Sequence, residues 1–553
     1  MMEKIWLNRY QQQVPAEINP DIYQSLDRLF IDACEKFHLL PALSFFEETI
    51  SYGRWAELSH CLAAYLQQQL KLHKGTKVAL MLPNCPQYMI SIFAVLQAGL
   101  VVTNVNPFYT EPEFTQQINH SQAEVLIVLS NFLPNVIHTL KNTPIKYVIT
   151  THLGDMLSWP RSWVINVSAW WNIKKQKQKN SAIHAIDFLM ALKIGQNLTL
   201  SSIVIKREDL AFLQYTGGTT GVPKGAMLTH RNMLANIEQL TTWVRPVLYE
   251  GQEIFITALP LYHIFSLMVN GLMCVRLGGK NCLIPDARNL KQLIQVLAIT
   301  PFSTLLGVNT LFKALLRHKA FTKLDFTSLK IALGGGAPLQ SAVKIYWKQV
   351  TGKLLLEGYG LTEASPVVCA PPWDLAVAGD HVGLPLPSTD IRLCDNKKNE
   401  VSLGEVGELC VKGPQVMRDY WMQAADVEYA LTADGWLLTG DLARIDHQGF
   451  VYIVGRKKEL ILVSGFNVYP EEIEQIIQQN PKVKEVAVIG IPSDKTGEAI
   501  KAFVVKEDES LTSEELLNYC RVALTAYKLP HEITFLNHLP KSALGKILKK
   551  DLH

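Results

Sequence analysis

A chain of 553 residues that is 48% apolar and 19% charged is long enough for more than one hydrophobic core, and its composition excludes a disordered or fibrous protein. A formal charge of +3 is too small at this length to point to a nucleic-acid partner. The nine cysteines lie far apart, with no Cys-x-x-Cys and no Cys/His pairing, which argues against a zinc site and suits a reducing cytoplasm.

Met1 to Gln13 lacks the basic-then-apolar order of a signal peptide. Apolar residues recur at helical spacing from Ile22 to Lys36 and from Arg54 to Leu70, while Ala42 to Phe46 and Val78 to Met81 read as strands. The most apolar window, Met89 to Val105, is short for a bilayer span, is interrupted by Gln97 and Gly99, and lies between Pro86 and Pro107. It predicts a buried helix followed by a strand, and no transmembrane segment is expected. Strands at Val125 to Leu129 and Tyr147 to Thr150 continue the alternation, which predicts an α/β domain with largely parallel sheets.

Residues 152–200 break this rhythm. Trp159, Trp163, Trp170 and Trp171 precede Lys174, Lys175, Lys177 and Lys179, the mixture of amphipathic rings and cations found at membrane interfaces. A surface insertion with its tryptophans folded back and its lysines solvated fits the same residues, so a peripheral membrane contact and a plain insertion both stay open.

A short strand, Ala211 to Tyr215, then enters Thr216-Gly217-Gly218-Thr219-Thr220-Gly221-Val222-Pro223-Lys224-Gly225. Glycines let backbone N–H groups approach an anion, and hydroxyls and an ammonium add the donors that phosphate oxygens require. The loop is not a Walker loop, because Pro223 precedes the lysine and Gly225 follows it. Further on, His263 stands among aromatic and aliphatic residues, where packing is as good an account as chemistry. Leu329 to Leu333 enters Gly334-Gly335-Gly336-Ala337, and Lys353 to Leu356 enters Glu357-Gly358-Tyr359-Gly360-Leu361-Thr362-Glu363. Glycine turns at the carboxyl ends of strands are where α/β sheets place ligands. The second offers an aromatic face, a hydroxyl and a carboxylate able to hold Mg²⁺. A β ribbon is expected from Gly404 to Gly413, and Asp441 after Gly440 is a natural acceptor for ribose hydroxyls.

A boundary follows at the charged break Gly455-Arg456-Lys457-Lys458-Glu459. Beyond it, the helix opened by Pro470, strands at Glu485 to Gly490 and Ile500 to Val505, and a helix capped by Thr512 predict a small α+β unit, which ends in a loop carrying Gly545-Lys546.

Together these stretches resemble the adenylate-forming superfamily of acyl-CoA synthetases, luciferases and peptide-synthetase adenylation domains. The shared pieces, in order, are the Thr/Gly loop, Tyr-Gly-Leu-Thr-Glu, Thr-Gly-Asp, Gly-Arg-Lys-Lys and the terminal Gly-Lys, from about residue 210 onward. Leu-Pro-Leu-Tyr-His-Ile-Phe (259–265) and Leu-Val-Ser-Gly-Phe-Asn-Val-Tyr-Pro (462–470) are similar to bacterial long-chain fatty acid–CoA ligases. The resemblance implies an enzyme that activates a fatty acid with ATP and Mg²⁺ to acyl-AMP, then transfers the acyl group to coenzyme A. An acyl-AMP ligase that serves a carrier protein is the alternative it leaves. It implies a large domain, 1–457, that binds ATP and the acyl substrate, and a small mobile domain, 458–553.

The same resemblance assigns roles. Lys546 is the adenylation lysine. Thr216, Gly217, Gly218, Thr219, Thr220, Gly221 and Lys224 hold the outer phosphates. Tyr359 stacks on adenine beside Gly335, Gly336, Ala337 and Gly358. Thr362 touches the α-phosphate and Glu363 holds Mg²⁺; Asp441 and Arg456 bind the ribose. Lys458 is the hinge, and Gly465 leaves room for pantetheine. His263 is left between packing and a duty near the thioester. An acyl tunnel is expected around Tyr262, Phe265, Val308 and Val367. One departure stands out: Gly379-Asp380-His381 precedes Val382-Gly383-Leu384-Pro385 where a small Gly/Ser is usual, so the contacts of that turn are open.

Overall fold

The computed structural model describes residues 4–166, 184–216, 224–422, 430–493, 495–541 and 546–552. The expected alternation becomes two seven-stranded sheets. In the first, Leu355–Glu357, Ile331–Gly334, Thr304–Gly307, Ile254–Thr257, Lys280–Leu283, Pro41–Phe45 and Glu48–Ser51 lie side by side, all parallel except the last pair. The second runs His184–Asp187, Tyr147–Thr151, Ala123–Leu129, Lys77–Met81, Val101–Asn104, Leu210–Thr216 and Lys224–Thr229, again parallel save for the final hairpin. Interior strands such as Ala123–Leu129 are buried on both faces, which is why they read as unbroken apolar runs.

The window Met89 to Val105 is a helix and a strand, as expected. Pro86 occupies the first turn of the helix Pro86–Gln97, where its missing N–H costs nothing, and nearly every residue of that helix is buried. The helix Tyr52–Ala64 continues as a wider turn through Gln69, so the stretch read as one helix has two geometries. Helix Leu26–Lys36 starts later than its apolar pattern, since Ile22 is exposed.

The end of 152–200 belongs to the body, which corrects the reading of an insertion. His184–Asp187 is the edge strand of the second sheet. It leads into Phe188–Gly195, whose first turn is capped by the Asp187 carboxylate accepting from Met190 N at 3.1 Å. Gly195 packs so closely that a Cβ there would stand 1.8 Å from the Cys61 carbonyl oxygen. Trp159 and Trp163 are 82% and 63% exposed, so these two rings do not fold back. Trp170, Trp171 and the four lysines lie outside the described residues.

The expected ribbon is a strand, Gly407–Lys412, inside a four-stranded antiparallel sheet with Asp390–Cys394, Leu437–Ile445 and Val451–Arg456. Gly455 and Arg456 continue the last of these strands, and only Lys457–Glu459 forms the break, as one 3₁₀ turn. Beyond it a separate sheet, Phe466–Val468, Ile461–Val463, Gly497–Lys506 and Val483–Ser493 with Glu532–Phe535 alongside, buries its own core of Ile461, Ile473, Val488 and Val504. Thr512 caps the helix Ser513–Ala523 by accepting from Glu515 N.

The unusual turn at 379–385 is explained by packing. His381 is buried and stacks on Phe450 at 4.2 Å, while Lys344 donates to the Gly379 carbonyl at 3.0 Å. Gly383 has φ +96°, and a Cβ there would collide with the Ala370 carbonyl at 2.1 Å, so glycine is required.

Candidate active site

A cleft of about 2220 Å³ collects most of the residues singled out by sequence, among them Thr216, Lys224, Thr362, Glu363, Asp441, Arg456, Lys458 and Lys546. Thr216 ends one strand of a hairpin and Lys224 opens the other, the two being register partners. The connection between them holds Gly217, Gly218, Thr219, Thr220 and Gly221, which lie outside the described residues.

A segment from 417 to 421 stitches this hairpin to Glu363. Trp421 N donates to the Gly225 carbonyl at 2.8 Å, and Met417 N donates to the Glu363 carbonyl at 2.7 Å. The Tyr420 hydroxyl donates to Glu363 Oε1 at 2.5 Å, and Lys224 Nζ stands 5.4 Å from the centre of the same ring. Burial, reinforced by the Glu363 charge, pushes the Tyr420 hydroxyl far above its ordinary range, so it stays a donor. One carboxylate oxygen of Glu363 is thereby fixed on the cleft wall.

The Tyr359 hydroxyl donates to Asp441 Oδ2 at 2.6 Å, joining the residue expected at a base to the one expected at a ribose. Burial first, then the Asp441 charge, raises Tyr359 well above its usual range. Asp441 is the register partner of Arg456 across two antiparallel strands, with Arg456 Nε 3.5 Å from Asp441 Oδ1. Beside them Glu408 accepts from Gly440 N at 3.1 Å and pairs with Lys457 at 2.8 Å.

Lys546 faces this group. Burial lowers its pKa and the Arg456 guanidinium adds to that, while Asp441, Glu459 and Glu471 pull the other way. Three residues on, Lys549 Nζ lies 2.9 Å from Glu459 and 2.8 Å from Glu474. Glu471, on the first turn of the helix Pro470–Gln478, is pushed up to about 7 by burial and by the neighbouring Glu474.

His263 precedes the short helix Ile264–Ser266 and lines both the cleft and a second, apolar pocket. Its Nε2 is buried without a hydrogen-bond partner among the described residues, and burial pulls the ring down to about 4, so it is neutral at pH 7. The turn that carries it is clamped from below. Asn84 donates to the carbonyls of Thr257 and Leu259 and accepts from Leu261 N, and Gln214 donates to the Tyr262 carbonyl.

The apolar pocket, about 180 Å³, meets the cleft at His263 and Thr362 and is bordered by Gly335, Gly336, Gly358 and Tyr359. Of the four residues expected to line an acyl tunnel, Phe265 and Val367 do so, whereas Tyr262 and Val308 face the polar cleft. For Val308 the reason is where the strand ends: Leu306 turns into the pocket, and Val308, two residues on, has already left the sheet to cap the next helix.

Two predicted residues are not brought in. Gly465 sits at an exposed hairpin turn with φ +84° and does not line the cleft, and Ala337 follows Gly336 without lining either cavity. Sequence reasoning missed Tyr420, Glu408 and Lys549, whose partners are distant in the chain, and also Trp243 and Trp373 in the pocket wall. No cluster of three or more metal-ligating side chains occurs among the described residues. A polar cleft with fixed cations joined to an apolar pocket suits an amphipathic acid activated at its carboxyl end.

Comparison with known proteins agrees. Residues 30–421 match the model of the AMP-binding enzyme family, and residues 472–546 match its C-terminal domain. The chain is 50% identical over its full length, and 98% of the relative's, to a long-chain-fatty-acid–CoA ligase of Salmonella typhimurium. It is 42% identical, at the same coverages, to the protein of that name from Haemophilus influenzae. Among solved structures, ATP-bound MatB from Rhodopseudomonas palustris superposes with a TM-score of 0.79 at 26% identity, over 96% of this chain and 98% of that one.

Proposed function

Because the chain belongs to the AMP-binding enzyme family, we propose that it is an ATP-dependent long-chain fatty acid–CoA ligase. The observation that carries this is the junction at Thr362 and His263, where an apolar pocket opens into the cleft containing Asp441, Arg456 and Lys546. In the first half-reaction a carboxylate oxygen of the fatty acid bonds to the α-phosphorus of ATP, and the bond to pyrophosphate breaks. In the second, the sulfur of coenzyme A bonds to the acyl carbon, the bond to AMP breaks, and the thiol proton is lost.

The roles follow from charge. Carboxylate and triphosphate repel, so fixed cations must neutralise their approach. Lys546 spans the two anions, Lys224 and the Thr/Gly loop receive the departing phosphates, and Thr362 donates to the α-phosphate. Asp441 accepts from the ribose hydroxyls with Arg456 beside it. Glu363 offers a carboxylate oxygen to Mg²⁺, a fit supported by its hard anionic donor and by the Tyr420 hydrogen bond that orients it. When bound, Mg²⁺ neutralises triphosphate charge. His263, neutral, fills and shapes the junction and does not act as a strong base there; a thiol with a pKa of about 8.5 needs none.

The hinge at Lys458 is supported by its neighbours. Lys457 is tied to the body through Glu408, and Glu459 is tied to the terminal unit through Lys549, so Lys458 alone lies between two anchors. Rotation about it would withdraw Lys546 and bring the exposed Gly465 turn to the cleft for thioester formation. Among the described residues no helix is long and apolar enough to cross a membrane. Exposed Trp159 and Trp163 support a peripheral contact on the cytoplasmic face, through which acyl chains are taken from a bilayer. Flotation with anionic vesicles that is the same in a Trp159→Ala, Trp163→Ala variant would remove that contact.

The function is tested by two assays. Fatty acid should be required for ATP–pyrophosphate exchange, and coenzyme A should stimulate AMP release. AMP release indifferent to coenzyme A would instead favour delivery to a carrier protein.

A further inference from the structure

The apolar pocket is a channel laid along one face of the first sheet. Thr304 and Leu306 of one strand and Ile331, Leu333 and Gly335 along the next line it, and alternate residues share a face. From Gly335 back to Ile331 is four residue steps, roughly 13 Å at ~3.3 Å each. Each step holds three backbone bonds, so an extended acyl chain beside it uses about twelve bonds. The volume of about 180 Å³ is only a little above the ~150 Å³ in which an apolar cavity takes up benzene. The channel is therefore long before it is wide, and a full chain enters as wall side chains change rotamer. Met273, on the helical wall that leaves His263, has the flexibility for this.

The wall at Trp243 and Trp373, which the cleft does not share, is built differently. Trp373 Nε1 donates to the Trp243 carbonyl at 2.8 Å, and Trp243 Nε1 donates to the Pro371 carbonyl at 3.0 Å. Tyr10 packs edge-on against Trp243 at 5.2 Å and is itself tied by its hydroxyl to the Pro385 carbonyl. Trp243 is 1% exposed. An indole whose N–H is committed and whose ring is wedged cannot swing aside without leaving a buried donor unpaired.

We infer that the Trp243–Trp373 pair is the floor of the acyl channel and sets the upper limit of acyl length. The inference rests on the ligase reading: the walls yield to a chain, and the floor stops it. Among the described residues neither indole lines the adenylating cleft, so shortening them changes which acid is used and leaves the chemistry of activation intact.

The test is acyl-CoA formation from laurate, palmitate, arachidate and behenate by the full chain and by Trp373→Ala and Trp243→Phe. Trp373→Ala should raise kcat/KM for the longest acids relative to palmitate, by about fourfold for each methylene newly admitted. Trp243→Phe should give a smaller shift in the same direction. If Trp243→Phe does not fold, Trp373→Ala decides, since Trp373 is only partly buried. A folded Trp373→Ala with the wild-type length profile overturns the floor and leaves the ligase reading standing. Absence of acyl-CoA from the unaltered chain with every acid overturns the ligase reading itself.

Discussion

Replacing Tyr420 by Phe removes one hydroxyl and tests the assignment of Glu363. That hydroxyl donates to Glu363 Oε1 at 2.5 Å from a half-buried position, and its proton is secure because burial and the carboxylate charge both raise its pKa. A hydrogen bond to a charged group is worth roughly 1.5–3 kcal/mol, or about 10- to 150-fold in an equilibrium it controls. Loss of a partner that orients a metal ligand costs about 10–100-fold in metal affinity or activity, so the two estimates meet. The expectation is a drop of that size in fatty-acid-dependent ATP–pyrophosphate exchange at low Mg²⁺, partly recovered at high Mg²⁺. Thioester formation from supplied acyl-AMP should be little changed. An exchange rate and a Mg²⁺ requirement both equal to wild type would show that Glu363 is not the magnesium carboxylate, or that Tyr420 does not orient it.

Lys549→Met strips the cation from between Glu459 and Glu474, both mostly buried, and should cost about 2 kcal/mol, below the roughly 3–5 of a fully buried pair. Denaturant unfolding reads that loss, and slower adenylation with an unimpaired thioester step reads the displaced Lys546. Lys344→Met leaves Glu357 buried without its 2.9 Å partner. Burial already raises the Glu357 pKa, so the variant should lose most stability near pH 8 and recover as pH falls and the carboxyl takes a proton; a pH-independent loss would contradict this. His230 is 2% exposed, accepts from Leu26 N through Nδ1, and is lowered by burial to about 4. Its folded pKa lies below the unfolded value near 6.5, so the stability it allows is full above that value and is lost as pH falls toward 4, by up to about 3 kcal/mol. His230→Asn keeps the acceptor without the titration, and should flatten melting temperature between pH 6.5 and 4.

What was legible in the chain was what local physics writes locally. Parallel strands buried on both faces are apolar runs, and the glycines at their carboxyl ends mark where a backbone meets a ligand, so Gly335 and Gly358 could be read as ligand-side turns, and the structure sets them with Thr362 along one pocket. The side-chain contacts that brace the site could not be read in this way. Tyr420 reaches Glu363 across 57 residues, Tyr359 reaches Asp441 across 82, and Trp373 reaches Trp243 across 130, with no periodicity linking them. The edge strand His184–Asp187 was hidden for another reason: only Ala185 and Ile186 are apolar in it, and its pairing with Tyr147–Thr151 is what makes it a strand. Val308 was misplaced because apolar character says that a residue packs, while its direction is set by where the strand Thr304–Gly307 ends and the next helix begins.

The charges around the cleft connect the two half-reactions. Arg456 stands against Asp441, Lys457 against Glu408, and Lys549 between Glu459 and Glu474. Lys546 lies in the same field, and burial, the largest influence on it, disfavours its charged form. On the role proposed for Lys546, a triphosphate in the cleft would offset that penalty by placing several negative charges beside the ammonium. Departure of pyrophosphate would remove most of those charges and restore the penalty of burial. If the small unit turns about Lys458 as proposed, that penalty would favour its withdrawal after adenylation and leave the acyl-adenylate open to the thiol.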